Sequence, residues 1–263
     1  MEKDLFIDDP RISNVVFYPR KTSVPSDLPK NIKVLNFQIN EDIVIGGYYF
    51  LQDENLPSIL LFHGNGEVAL EYNYFIDLFF ECGVNLAVAD FRGYGHSSGK
   101  PKYSSLITDA LPVYNEFKKW IDRNGLNNSL FIQGRSLGSV CASEIGSHNP
   151  EDVCGIIFES GFGSIYNMMT RLFRVQGPDI TQETLKIYSN DTKIAKFQKP
   201  TLIIHGTMDW IIPNSEAKVI FDAIPEGVEK ELIMIEGAGH NDIFSFKNEY
   251  FGRLKDFIQK NKR

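Results

Sequence analysis

Leu130-Phe131-Ile132-Gln133-Gly134-Arg135-Ser136-Leu137-Gly138 is the stretch on which the fold turns. An apolar run of strand length leads into a serine flanked by glycines, and Leu137–Ile145 behind it has helical spacing. Strand, tight turn and helix around Gly-x-Ser-x-Gly form a nucleophile elbow, a turn too tight for a Cβ at its flanks that lifts the serine hydroxyl out of the sheet. The string alone is weak, because Gly95-His96-Ser97-Ser98-Gly99 matches it too. Ser97, however, runs on into Gly99-Lys100-Pro101, where no helix begins. Ser136 is therefore the candidate nucleophile.

The neighbouring segments supply a sheet for this elbow. Ser58–Phe62, Val84–Ala89, Val153–Phe158, Thr201–Ile204 and Glu231–Ile235 read as strands. Helical spacing lies between them at Ala69–Cys82, Leu106–Ile121, around Glu216–Phe221 and finally at Tyr250–Ile258. Strands that are apolar throughout need cover on both faces, and regular strand–helix alternation provides it. Upstream, Asn14–Pro19 reads as a β-rich run, and Lys33–Gln38 and Ile43–Leu51 read as a hairpin across Asn40-Glu41-Asp42. The expectation is an α/β fold: a mostly parallel twisted sheet with helices on both faces, an antiparallel N-terminal hairpin and a short helical cap. Residues 1–263 are expected to form one domain, with the cap inserted at about 160–199.

In such sheets chemistry sits on loops leaving the carboxyl ends of strands. A serine hydroxyl needs a base, and the base needs an orienting acid. Of five histidines, His63 and His205 end apolar strands, His148 sits near a helix end and His96 lies in the second loop. His240, in the glycine-rich turn Glu236-Gly237-Ala238-Gly239-His240-Asn241-Asp242, has the freedom a general base requires. Asp209 follows the strand Thr201–Ile204, while Glu159 and Asp242 are rivals for the acid. The order Ser136, Asp209, His240 is that of an elbow hydrolase, which selects Asp209. For an oxyanion hole, one backbone N–H comes from Leu137, and the small loop His63-Gly64-Asn65-Gly66 offers the second at Asn65.

Composition narrows the partners. Lys and Arg number 27 against 34 Asp and Glu, a net charge of −7, with no basic cluster, so nucleic acid is not expected. The three cysteines, Cys82, Cys141 and Cys154, sit singly in apolar stretches and suit a reducing compartment. No signal-like leader and no run of about 20 apolar residues occurs, which points to a cytoplasmic location. No Cys/His spacing suggests a metal, and the chemistry calls for no cofactor.

Taken together, His63-Gly64-Asn65-Gly66, Asp90-Phe91-Arg92-Gly93-Tyr94-Gly95, the Ser136 elbow, Ile204-His205-Gly206-Thr207-Met208-Asp209 and Gly237-Ala238-Gly239-His240 resemble the α/β-hydrolase superfamily from about Val34 to Ile258. They look like its branch of small serine hydrolases, which includes S-acyl thioesterases, lysophospholipase-like enzymes and predicted serine aminopeptidases. The resemblance implies hydrolysis of an ester or thioester of a small or acyl substrate through an acyl-enzyme intermediate. Peptide hydrolysis at a free amino terminus, with Glu67, Glu159 or Asp242 holding the ammonium, and a silent binding protein on the same fold are the alternatives. Membrane-attached thioesterases of this branch carry an N-terminal cysteine cluster, and no cysteine precedes Cys82, so no stable membrane anchor is expected. Ile165, Met168, Met169 and Leu172 fall at i, i+3, i+4 and i+7, a stripe that packs a lid helix onto the body. Met168, Met169, Leu172 and Phe173 could also line an adaptable acyl pocket.

Overall fold

A computed structural model describes residues 5–263. Eight strands form one sheet: β1 (Ile32–Gln38), β2 (Val44–Phe50), β3 (Ser58–Phe62), β4 (Asn85–Ala89), β5 (Leu130–Arg135), β6 (Val153–Glu159), β7 (Thr201–Gly206) and β8 (Lys230–Ile235). Their order across the sheet is β1-β2-β4-β3-β5-β6-β7-β8. β1 and β2 form the expected hairpin, β2 joins β4 antiparallel, and every later pairing is parallel.

The apolar strands divide their side chains between two cores, as the period of two demands. Leu60, Phe62, Ile132, Ile156 and Phe158 pack on one face. Their chain neighbours Ile59, Leu61, Phe131 and Ile157 pack on the other. Helices α3 (Tyr103–Thr108), α4 (Ala110–Arg123) and α5 (Ser139–Ser147) cover the first face, together with α1 (Pro10–Val16). α2 (Ile76–Glu81) and the C-terminal helix Lys247–Asn261 cover the second. The register brings Phe62 level with Gly134, Arg135 with Glu159, and Glu159 with Ile204. The loops that follow β3, β5, β6 and β7 therefore emerge along one edge of the sheet.

Two local expectations need correction. Asn14–Val16 is not a strand but the end of α1. Asp9 accepts the Arg11 N–H at 2.8 Å and Pro10 occupies the first turn, a strong helix start that outweighs β-branched residues downstream. The stretch Ala69–Cys82 is split, with a 3₁₀ turn over Ala69–Tyr74 before α2. Between β6 and β7 the chain forms only short helical pieces, including Ile165–Asn167, a wide π turn at Met168–Leu172, Gln182–Leu185 and Asn190–Ile194.

Candidate active site

At the elbow, the backbone of Ser136 is left-handed, with φ +49°. A side chain on Gly134 would put its Cβ 2.6 Å from the Gly138 carbonyl oxygen, and one on Gly138 would put it 2.0 Å from that of Phe62. Backbone cannot retreat as a flexible side chain can, so both flanks must be glycine. α5 starts directly behind the turn and aims its positive end at Ser136.

The structure brings together the three side chains singled out in the sequence. Ser136 Oγ lies 3.0 Å from His240 Nε2, and His240 Nδ1 lies 2.7 Å from Asp209 Oδ2. A carboxylate can only accept, so Nδ1 carries the proton and Nε2 is free to accept from the serine hydroxyl. All three are 7–9% exposed. Asp209 Oδ1 accepts the N–H groups of Ile211 at 2.9 Å and Ile212 at 2.8 Å. Burial pushes the Asp209 carboxyl up, but hydrogen bonds from His205, then His240, outweigh it and hold the group well below the ordinary carboxylate range. His205 thus has a place beside the acid: its Nε2–H donates to the Ile212 carbonyl at 2.9 Å and lies 3.3 Å from Asp209 Oδ2.

The other candidates settle elsewhere. Ser97 is fully buried and its Oγ accepts the Gly46 N–H at 2.9 Å, which ties β2 to the loop after β4. His96 packs edge-on against Tyr48, and His148 contacts Glu144. His63 faces the Gly64 carbonyl through Nδ1 at 2.7 Å and Asp90 through Nε2 at 3.2 Å. Two acceptors require both ring nitrogens to carry protons; burial opposes that charge, yet Asp90 prevails and raises the His63 pKa. Of the carboxylates, Glu67 is held by Arg135 at 2.6 Å and by Tyr72 and the Gly64 N–H. Glu159 is buried against Arg135, and Asp242 accepts the Gly239 N–H at 2.7 Å.

A cleft of about 430 Å³ opens over Ser136 and His240. Asn65 and Leu137 border it, and neither amide donates to a backbone carbonyl among the described residues. Asn65 is fixed by its side chain, which accepts the Tyr18 N–H at 3.0 Å and the Tyr94 hydroxyl at 2.6 Å and donates to the Val16 carbonyl at 2.6 Å. Met168, Leu172 and Phe173 line the cleft as expected; Met169 does not. It is fully buried in the core, because the π turn spreads the residues wider than an α-helix and turns Met169 toward the body. Val15, Tyr18, Phe162, Ile211 and Ile212 add to the apolar wall, and Gly64, Glu67 and Asn241 complete the lining. The sequence reading missed the apolar ones; Ile211 and Ile212, which follow Asp209 after Trp210, were the two it could have found.

Comparison with known proteins agrees with this architecture. A family model described as serine aminopeptidase, S33, matches residues 53–190, and one described as alpha/beta hydrolase fold matches residues 180–246. Human alpha/beta hydrolase domain-containing protein 17B is 31% identical over 205 residues, covering 76% of this chain and 66% of the relative. Protein 17C of Xenopus tropicalis is 31% identical over 208 residues, covering 76% and 61%. The chain thus spans just under two thirds of the length of these relatives. Among solved structures, the Pyrococcus furiosus esterase Pf2001 superimposes with TM-score 0.72 at 19% identity, covering 92% of this chain and 98% of the esterase. Est1E from Butyrivibrio proteoclasticus, with ferulic acid bound, gives 0.68 at 17%, covering 86% and 98%. The chain belongs to the α/β-hydrolase superfamily, in the family whose model is described as serine aminopeptidase, S33.

Proposed function

We propose that the protein is a serine hydrolase that cleaves carboxylic ester or thioester bonds of small or acyl substrates. The observation that carries this reading is the unbroken line Ser136 Oγ–His240 Nε2 at 3.0 Å and His240 Nδ1–Asp209 Oδ2 at 2.7 Å. Ser136 Oγ attacks the carbonyl carbon as His240 Nε2 takes its proton. The negative charge on the carbonyl oxygen is met by the N–H groups of Asn65 and Leu137, with the N-terminus of α5 behind them. The imidazolium, stabilised by Asp209, gives its proton to the departing alkoxide or thiolate. Water then enters the same position, loses its proton to His240 and releases the acid from Ser136. The apolar wall of Met168, Leu172, Phe162 and Phe173 receives the acyl portion.

The description of the matching family also raises an aminopeptidase. Recognition of a free ammonium requires an available carboxylate at the cleft, whereas Glu67, Glu159 and Asp242 are all engaged within the protein. The ester or thioester reading is the better supported. We further place the protein in the cytoplasm: its cysteines are unpaired and buried, which fits a reducing compartment. No helix among the described residues is long and apolar enough to cross a membrane.

The test is turnover of p-nitrophenyl esters, a thioester and an aminoacyl anilide beside labelling with a fluorophosphonate. Ser136→Ala is expected to lower kcat by about 10⁴-fold and abolish labelling. Wild-type protein that neither labels nor turns over any of these would instead be a binding protein on this fold.

A further inference from the structure

The residue between Gly134 and Ser136 is left open by the elbow motif, yet here it is a buried arginine. Its guanidinium reaches two loops and the carboxyl end of β6. Nε donates to Glu67 at 2.6 Å, Nη1 to Glu159, and Nη2 to the backbone carbonyl of His240 at 3.2 Å. The Phe244 ring covers one face, 5.6 Å from Cζ to its centroid. Beyond Glu67 the line continues: its second oxygen accepts the Gly64 N–H at 3.0 Å and the Tyr72 hydroxyl at 2.8 Å. Gly64 immediately precedes Asn65. One planar cation is therefore joined to the nucleophile through the chain, to the oxyanion loop through Glu67, and to the base through its own carbonyl.

Stability does not explain such a group. A buried ionic cluster typically gains little over apolar side chains of the same volume, because desolvation offsets attraction. Here one Glu159 oxygen also has no partner among the described residues. What a guanidinium offers that an apolar residue or lysine lacks is several donors in fixed directions. We infer that Arg135 is a positioning residue, holding the loop of Asn65 and the loop of His240 in register around Ser136 as the acyl intermediate forms. This rests on the serine-hydrolase reading above.

The experiment compares wild type, Arg135→Lys, Arg135→Met and Glu67→Gln. It measures kcat and KM on p-nitrophenyl butyrate, the rate of fluorophosphonate labelling, and thermal melting. Misplacement of reacting groups by about 1 Å costs about 10²-fold, so folded Arg135 variants are expected to lose about 10²-fold in kcat. KM is expected to stay within about threefold and labelling to slow in parallel, because phosphonylation needs the same amides. Glu67→Gln, which keeps the shape and removes the charge, is expected to lose about tenfold in kcat by the same loss of alignment. A structural role alone would lower the melting temperature and leave kcat per folded molecule unchanged. Folded Arg135→Lys with kcat within about threefold of wild type overturns the inference. If neither Arg135 variant folds, an unaltered kcat in Glu67→Gln overturns it equally. The two readings fail differently: Ser136→Ala that retains turnover sinks the hydrolase, whereas activity lost with Ser136 but indifferent to Arg135 and Glu67 sinks only the positioning role.

Discussion

The left-handed backbone at Ser136 can be weighed by two substitutions that both remove the hydroxyl and differ only in the Cβ. Ser136→Ala and Ser136→Gly both remove the hydroxyl and its 3.0 Å contact with His240. They differ at φ +49°, where a Cβ costs about 1–2 kcal/mol and glycine costs nothing. Glycine gives back about 0.4–1 kcal/mol through the greater freedom of the unfolded chain. The glycine variant should therefore be the more stable by about 0–1.6 kcal/mol, centred at about 0.8 kcal/mol, which at that centre is about 2–3 °C in melting temperature for a chain of this size. Ser143, in the middle of α5 and fully buried with no partner for its hydroxyl among the described residues, provides the control. There the same pair should reverse, with glycine less stable than alanine by about 1 kcal/mol. Urea midpoints read at equal slope measure both differences. If glycine at 136 proves no more stable than alanine while the control reverses as stated, the elbow stores no backbone strain.

The remaining expectations are simpler. Ser97→Ala leaves the buried Gly46 N–H without its acceptor and should cost about 1–3 kcal/mol in urea unfolding, while ester turnover per folded molecule is retained; a dead but folded variant would reverse the choice between the two serines. Because the Asp209 carboxyl is held below its ordinary value, the native state binds that proton more weakly than the unfolded chain, so its contribution is present above about pH 4 and lost as pH falls further. Asp209→Asn should flatten that part of the stability profile, and an unchanged acid limb would show that the carboxylate is not stabilised. Met168→Trp should crowd the acyl wall and shift preference toward shorter p-nitrophenyl esters by about tenfold or more in relative kcat/KM; an unchanged chain-length profile would remove Met168 from the pocket.

What the sequence revealed and what it withheld have separate physical causes. β3 to β7 were legible because strands covered on both faces must be apolar at every position, and that run survives without knowledge of neighbours. Ser136 and Asp209 were legible because each follows such a run, and His240 because it follows the half-exposed β8 in a glycine-rich turn of distinctive composition. The cleft was harder. Val15 and Tyr18 reach it from the N-terminal segment, across a sequence distance that no periodicity spans. Asn14–Val16 was misread because Val-Val-Phe favours strands, while the deciding cap, Asp9-Pro10, lies upstream. Met169 was assigned to the pocket on an α-helical period of 3.6, which the π turn does not keep. Arg135 carried no signal at all, since its partners come from two loops and the end of β6, which only folding assembles.

The tether between Asn65 and the segment just after α1 bears on where this chain can be cut. Arg20 adds a second tie, reaching the Gly66 carbonyl at 3.0 Å and Glu71 at 2.7 Å. A recombinant piece trimmed to residues 53–190, or merely started at β1, would keep the elbow strand and the Tyr94 hydroxyl on Asn65 but lose both N-terminal ties to the loop proposed to receive the oxyanion. Val16, Tyr18 and Arg20, which hold this loop, therefore belong to the working part of the molecule, although the two matching family models span residues 53–190 and 180–246.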